Sequence, residues 1–457
     1  MPGRFTFVAS CALFACGSDA SPTPIRFLHT FSPDETELFN TTIANRGIAV
    51  DSSLVPFARG QQVISEILTA GTTCPDLIRI DATWLPGLRS QLVPPPADLA
   101  ALDWTPEAAA LAQLDGVWWG VPQTLDGLIV IRDSATPAPA SPSIDDLVAA
   151  ARATKSDGRR FPLATRVDGY WLVPWLRAEG ADFAVDRLGG ALHPGGAING
   201  GAMDGGVIDH NDATRPAGGA IDGSGATRPS GSAIDGSRAA SDGATRPAGS
   251  AIDGNGATRP AGSAIDGDAA MRAGDGHGAT RALARYAAMF GDVAAPPPPA
   301  GSEAPDELRR WGSHEVAYWI TGPWQLGTLH DPERIAVSPI AHAPRGGQLL
   351  VVPRCAKRPA DGWRLAAELA SVPVEVTFAN AFRTIPTRVA ALAQAPALSR
   401  AAADALKSAE MLPRAVATPL LFDDLNPALA AVVAGDATAQ EAIAGVRRGW
   451  ARLARTP

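Results

Sequence analysis

Basic clusters, membrane-length apolar runs and metal-ligand spacings are all missing from this 457-residue chain. Each absence removes a class of function. The formal net charge is −8 and the pI is near 5.4. No run of Lys and Arg stands out, so the electrostatic footprint of a nucleic-acid or anionic-membrane partner is lacking. No stretch approaches the ~20 apolar residues that a spanning helix requires. The four cysteines, Cys11, Cys16, Cys74 and Cys355, have no metal-ligand spacing. There is no H-E-x-x-H, no G-x-S-x-G and no phosphate-binding loop, so no local motif announces a hydrolase or a nucleotide enzyme. Seven histidines are scattered, and tyrosine occurs only three times, at Tyr170, Tyr286 and Tyr318. No metal and no cofactor are expected.

What is present is enough for a folded protein of two domains, since 46% of the residues are hydrophobic over a length well above one domain. The chain begins with "MPGRFTFVASCALFAC", in which Arg4 precedes an apolar run from Phe5 to Ala15. Such a run is too short to span a bilayer and reads as an export signal. Its end, Leu13, Phe14, Ala15 and Cys16, looks like a bacterial lipobox, which implies cleavage before Cys16 and lipid attachment to it. An ordinary cleaved signal is the alternative. Cys74 and Cys355 would remain in the mature protein, either as one disulfide, if the fold brings them together, or as two separate small buried residues.

From Ile25 to about Asp186 the patterning alternates strand and helix. "IRFLHTF" is a strand. Ser32, Pro33 and Glu35 then open a helix with an S-x-x-E capping box. "GIAVDSSLV" and "PDLIRID" are further strands, with the helix "GQQVISEILTAG" between them closed by Gly71. This order predicts mainly parallel sheets flanked by helices, an architecture that binds ligands at the carboxyl ends of its strands. Between 195 and 278 the texture changes: "ATRP" recurs at 213, 226, 244 and 257, and "AIDG" at 220, 233, 251 and 264. Each unit offers little beyond one Ile, too little apolar surface to offset its ordering entropy. The tract is expected to be a disordered, dispensable insertion, and roughly 360 mature residues remain without it, still above one domain.

Several stretches, taken in order, carry a family resemblance. "EILTAGTTCPDLIRID", "GVWWGVPQTLDGLIVIRD", "VAYWITGPWQ", "DGWRLAAELAS" and "TIPTRVAAL" resemble the extracellular solute-binding proteins of sugar-importing ABC transporters, the maltose- and trehalose-binding group. The resemblance covers almost all of the mature chain outside the repeats. It implies a two-lobed α/β fold closing on a sugar, no enzymatic activity, and an ABC permease with its ATPase as partners. The expected division is an export signal at 1–15, a tether at 16–24, a first lobe at 25–125 and 336–383, and a second at 126–335 and 384–457.

The chemistry of the residues agrees. Sugars present an apolar face and a rim of hydroxyls, so their sites pair aromatic platforms with hydrogen-bonding side chains. The chain is rich in Trp, with 11. In the family the aromatic of "GPW" stacks on a sugar ring, which makes Trp324 the leading candidate; Gly322 would let the chain turn and Pro323 would start a helix. Gln123, Thr124 and Asp126 match the crossover segment facing the ligand. Asp168 and Tyr170, with Trp171 nearby, match an acid and aromatic pair of the second lobe. Phe422 matches a further stacking aromatic. Thr30, Phe31, Asp81 and Trp84 follow strands and would line the first lobe's rim, although Asp81 also suits a helix cap. An iron-binding relative would want clustered Tyr, which this chain lacks. The competing functions are a carbohydrate-active enzyme of the envelope, with Asp126 and Asp168 as its carboxylates, and a signalling or adhesive lipoprotein.

Overall fold

The computed structural model describes residues 23–181, 183, 277–296 and 307–453. The export segment 1–15, Cys16 and the tract from 195 to 276 lie outside these residues.

Strand β1 (Ile25–His29) leads into helix α1 (Pro33–Asn45). The capping box forms as the sequence predicts: the Glu35 amide donates to Ser32 Oγ (3.2 Å) and the Ser32 amide to Glu35 Oε2 (2.8 Å), with Pro33 in the first turn. Strand β2 (Val50–Leu54), helix α2 (Phe57–Ala70) and strand β3 (Leu77–Asp81) follow. Gly71 stops α2 at φ 66°, in the left-handed region that glycine adopts without strain. Later come β4 (Val121–Gly127), β5 (Ile129–Asp133), helix α3 (Gly169–Ala178), helix α4 (Gly278–Ala287), β6 (Tyr318–Thr321), β7 (Ile335–Ser338), β8 (Pro344–Pro353) and three helices that matter below, α5 (Val372–Phe382), α6 (Leu421–Ala434) and α7 (Ala439–Leu453).

Two main sheets result. The first holds seven strands, with β8, β3, β1 and β2 in that spatial order and β4 paired to β8. The second places β7, β5 and β6 side by side, with the short strand Leu163–Ala164 beyond β6. β1 pairs in parallel with β2 and β3, as the alternating pattern predicts. Both sheets are nevertheless mixed, which corrects the expectation of mainly parallel sheets. β8 runs antiparallel to β3 and β4, and β5 runs antiparallel to β6 and β7. The reason is the crossing of the chain. β4 and β5 are separated only by Leu128, and β7 and β8 by five residues. A strand entering a sheet from the side where the two sheets meet runs opposite to one that leaves toward that side.

Phe27 of the first sheet is buried with Phe39 and Ile43 of α1, and Trp319 of the second with Trp175 of α3 and Tyr286 of α4. A disulfide joins Cys74, just ahead of β3, to Cys355, just beyond β8, with a Cα–Cα distance of 5.8 Å. The open choice between bonded and separate cysteines is thereby resolved as bonded.

The folded chain leaves after α3 and resumes at α4 a short distance away. A Cβ on Gly278 would stand 2.4 Å from the Glu179 carbonyl oxygen and 3.6 Å from Ala181 Cβ. Arg281 and Arg285 of α4 both bind Glu179. The last residue assigned to the repeat tract thus already belongs to a packed helix. Because the two ends meet, and loop-closure entropy changes slowly with length, removal of 195–276 should leave one cooperative thermal transition within a few degrees of the parent. A broad, non-cooperative melt in the shortened protein would contradict this.

Candidate functional site

On the first sheet, the residues at and near the carboxyl ends of the parallel strands form a connected polar floor. Arg79, on the same face of β3 as Asp81 by the two-residue alternation of a strand, is only 6% exposed. Its Nε donates to Gln123 Oε1 (2.9 Å) and its Nη1 to Thr30 Oγ1 (2.8 Å). Both acceptors are neutral, so this buried guanidinium is held by hydrogen bonds, and its ring-facing side lies 4.6 Å from the centre of Phe31. Asp81 caps the turn that follows β3, accepting from the Thr83 amide (2.8 Å) and hydroxyl (2.5 Å) through Oδ1. Its Oδ2 accepts from Gln348 Nε2 (3.2 Å) of β8. Gln348 also faces Asp126 of β4 and favours its ionised form. The buried Gln348 Oε1 has no protein partner.

Opposite this floor stand the aromatics of the second sheet and its helices. Asp168 caps α3, accepting from the Tyr170 amide (2.8 Å). Tyr170 donates its hydroxyl to the Pro344 carbonyl (3.4 Å) at the start of β8, which brings α3 up to the first sheet. Trp171 is buried and fixed by donation from Nε1 to the Ile320 carbonyl (2.8 Å) of β6. Arg166, paired with Glu307 (3.2 Å), covers the Trp171 ring at 5.2 Å. Trp324 meets Trp171 edge to face, at 6.3 Å between centroids and 78° between planes, yet stays 39% exposed. Pro323 and Trp324 open a short 3₁₀ helix after β6.

The role of Gly322 differs from the expected one. Its backbone is extended, at φ −111° and ψ 171°, so no unusual turn is made there. A Cβ would instead strike the Trp324 ring at 1.9 Å. A side chain here would displace the indole, which folds back over the main chain.

Asp81, Asp126 and Tyr170 each keep some accessible surface while protein surrounds them. Burial raises the Asp81 carboxyl and pushes Asp126 up to about 6, where Arg79 opposes the rise and Asp81 and Glu35 add to it. Burial also raises the Tyr170 phenol, and the charges of Asp81 and Asp126 add to the effect. That coupling ties the aromatic wall to the acidic floor. Among the described residues, no group of three or more His, Cys, Asp or Glu is arranged to hold a metal. The arrangement offers acceptors, amide and guanidinium donors, a phenol and an open indole, which is equipment for holding a polyol.

Not every candidate lies on the cleft surface. Phe31 is 3% exposed and packs with Phe27, His29, Phe39 and Phe378, so it belongs to the core and not to the rim. It lies two residues past β1, and packing against Phe39 of α1 and Phe378 of α5 turns it inward. Trp84 is likewise buried, its ring lying over Gly60. Thr124 is buried, and its hydroxyl donates to the Ile385 carbonyl (3.3 Å), securing the segment after α5. Phe422 is half-buried between Tyr170 (6.5 Å) and Phe183 (5.8 Å) and supports the wall from behind. Arg79 and Gln348 were not among the sequence candidates. The signal for Arg79 was a charged residue inside an otherwise apolar strand, two positions before Asp81.

No protein-family model matches the sequence, and no curated protein matches it. Solved structures do. The GacH receptor of Streptomyces glaucescens, described unliganded and with acarbose, superposes with a TM-score of 0.64 at 18% identity, covering 94% of this chain and 98% of that one. The sugar-binding protein MalE of Xanthomonas citri gives 0.62 at 16%, covering 94% and 97%. The maltotriose-binding protein of Thermus thermophilus, bound with maltotriose, gives 0.62 at 14%, covering 93% and 99%. What the comparison establishes at these identities is the architecture: this chain has the two-lobed α/β fold of the sugar-binding receptors.

Proposed function

We propose that this chain is an extracytoplasmic receptor that binds a di- or oligosaccharide between its lobes and delivers it to the permease and ATPase of an ABC importer. The observation that carries the reading is Trp324: an exposed indole that folds over Gly322 and meets Trp171 edge to face, Trp171 in turn lying beside Tyr170, whose phenol is coupled to Asp81 and Asp126 of the polar floor. The ligands named for similarly folded proteins, acarbose and maltotriose, point to the same chemistry. The lobes are taken as 25–125 with 336–383, and 126–335 with 384–457; they act as one monomer that closes by a hinge motion. Lipid attachment at Cys16 after removal of 1–15 would tether the receptor outside the cytoplasmic membrane, and the Cys74–Cys355 bond suits such an oxidising location. No helix among the described residues is long and apolar enough to cross a membrane, so the lipid would be the anchor. Binding is favoured over hydrolysis because Asp168 is engaged as a helix cap, which leaves the imagined carboxylate pair one member short.

The test is truncation of the indole. An open platform contributes to the complex, while a core Trp contributes to every folded molecule. Trp324→Ala is expected to weaken binding of maltose, trehalose or a longer glucan by roughly 1–3 kcal/mol, from the burial of one large side chain, with unfolding free energy nearly unchanged. Calorimetric titration and denaturant unfolding measure the two quantities. Intact affinity combined with a stability loss of about 3–5 kcal/mol, the range for a core aromatic, would refute the reading.

A further inference from the structure

Between α5 and the helix Val389–Gln394 the chain runs as a strap along β4. The Leu125 amide and the Thr124 hydroxyl both donate to the Ile385 carbonyl (3.2 and 3.3 Å), and the Thr105 amide donates to that of Thr387 (2.8 Å). The strand held in this way matters to the site. β4 carries Asp126 and Gln123, the acceptor of Arg79, and it leads through Leu128 directly into β5 of the second sheet.

One hydroxyl of the strap has two acceptors to serve. Thr387 is fully buried, and its Oγ1 lies 3.2 Å from the Pro122 carbonyl oxygen of β4 and within hydrogen-bond reach of Glu375 Oε1. A threonine hydroxyl has a single hydrogen to donate, while its oxygen can also accept. The neighbouring backbone fixes which carboxyl oxygen takes part. Glu375 Oε2 already accepts from the amides of Thr387 (3.1 Å) and Arg388 (3.0 Å), so a proton on this carboxyl belongs on Oε1. With Oε1 protonated, its O–H donates to Thr387 Oγ1, and the threonine hydrogen is left for Pro122. With the group ionised, both carboxylate oxygens only accept, and the hydroxyl has to leave Pro122 for Oε1.

We propose that Glu375 and Thr387 form a proton-directed switch on β4: uptake of one proton from solvent by the carboxyl turns the Thr387 hydroxyl onto the Pro122 carbonyl, and its release turns the hydroxyl away. The switch goes beyond the receptor reading and does not depend on which ligand the cleft holds. Burial sets its working range, since it pushes the Glu375 carboxyl up to about 8. Arg388 favours the anion, with its guanidinium shared between Asp103 and the Ala370 carbonyl (3.3 Å). Among the other elements packed on α5, α1 brings Asp34, Glu35 and Glu37, and the helix Pro359–Leu369 brings Asp361, Arg364 and Glu368. The 3₁₀ helix Pro323–Thr328 and the helix Val389–Gln394 bring no titratable group. Arg383 ends α5, and Asp126 lies further along β4.

The experiment follows the Pro122 carbonyl by NMR in the whole protein, isotope-labelled at the proline carbonyl carbons and titrated from about pH 6 to about pH 10. Loss of the Pro122 resonance in Pro122→Ala assigns it. In the parent it should move upfield, the direction of a lost hydrogen bond, with a midpoint near 8. In Glu375→Gln an amide N–H replaces the carboxyl O–H, so the resonance should hold the parent's acid position at every pH. Thr387→Val has no hydroxyl and should hold the parent's alkaline position, while Thr387→Ser should restore the movement. A parent resonance that does not move, an equal movement in Glu375→Gln or Thr387→Val, or the same fixed position in both variants overturns the switch. Should Thr387→Val fail to fold, the comparison of the parent with Glu375→Gln decides alone.

Discussion

Replacing Cys74 and Cys355 together by serine is expected to lower the unfolding free energy by about 2–5 kcal/mol, the range found for removal of native disulfides. The two residues are 281 positions apart in the chain, so the bond closes a loop that contains most of both sheets. Such a closure removes a large number of conformations from the unfolded ensemble. It also acts at a sensitive place. Cys74 precedes β3 and Cys355 follows β8, and these antiparallel neighbours carry Asp81 and Gln348, which pair across them in the polar floor. Urea unfolding of the parent and the double serine variant, with equal slopes, measures the difference directly. A loss below about 1 kcal/mol would mean that the reduced unfolded chain is already compact, and the bond would then be incidental to stability.

A second large effect should appear between the unfolded and folded pKa values of one buried carboxyl, from pH 4.5 to about 8. Glu375 of α5 is buried, and its Oε2 accepts from the amides of Thr387 (3.1 Å) and Arg388 (3.0 Å), while the Thr387 hydroxyl donates to Oε1. It thereby holds the segment after α5, which is tied to the first lobe by the Leu125 amide on the Ile385 carbonyl (3.2 Å) and the Thr105 amide on the Thr387 carbonyl (2.8 Å). Burial outweighs these hydrogen bonds and pushes the carboxyl up to about 8. The folded value lies above the unfolded one of 4.5. The stabilisation from this group is therefore complete below pH 4.5 and is lost as pH rises through about 8, by at most about 5 kcal/mol. Glu375→Gln keeps an acceptor without the titration. The gap in unfolding free energy between parent and variant should therefore move against the parent across pH 4.5–9. Asp126, pushed up to about 6, acts in the same sense but is present in both proteins and cancels. Parallel curves would show that the carboxylate is ionised without penalty, and the argument would fail.

Much of the local structure was legible in the residues alone. The Ser32 and Glu35 box, the stop at Gly71 and the helix start at Pro323 depend on partners within a few positions, and the strands from Ile25 to Asp81 show in their own apolar patterning. The site was legible in part. Trp324 and Asp81 stand at strand ends as expected, whereas Phe31 and Trp84 turned inward. Following a strand does not decide which way a ring points; the packing of α1, α5 and Gly60 around it does. Arg79 escaped notice because a lone arginine in a strand has no motif, and its acceptors, Thr30 just past β1 and Gln123 in β4, lie far from it in the chain.

The sequence by itself determined the order of helices and strands, the caps that bound them, and a repeat tract with too little apolar surface for a core. These follow from periodicity and from contacts within a turn or two. Only the tertiary structure decided that Cys74 meets Cys355, that β8 runs antiparallel beside β3, that Gly322 is needed for an indole folded over it, and that Asp126 rises to about 6. Apart from Gly322 and the ring two positions beyond it, those outcomes depend on groups far apart in the chain, 281 positions for the two cysteines, being brought to a few ångströms, and on the low-dielectric surroundings that such closure creates.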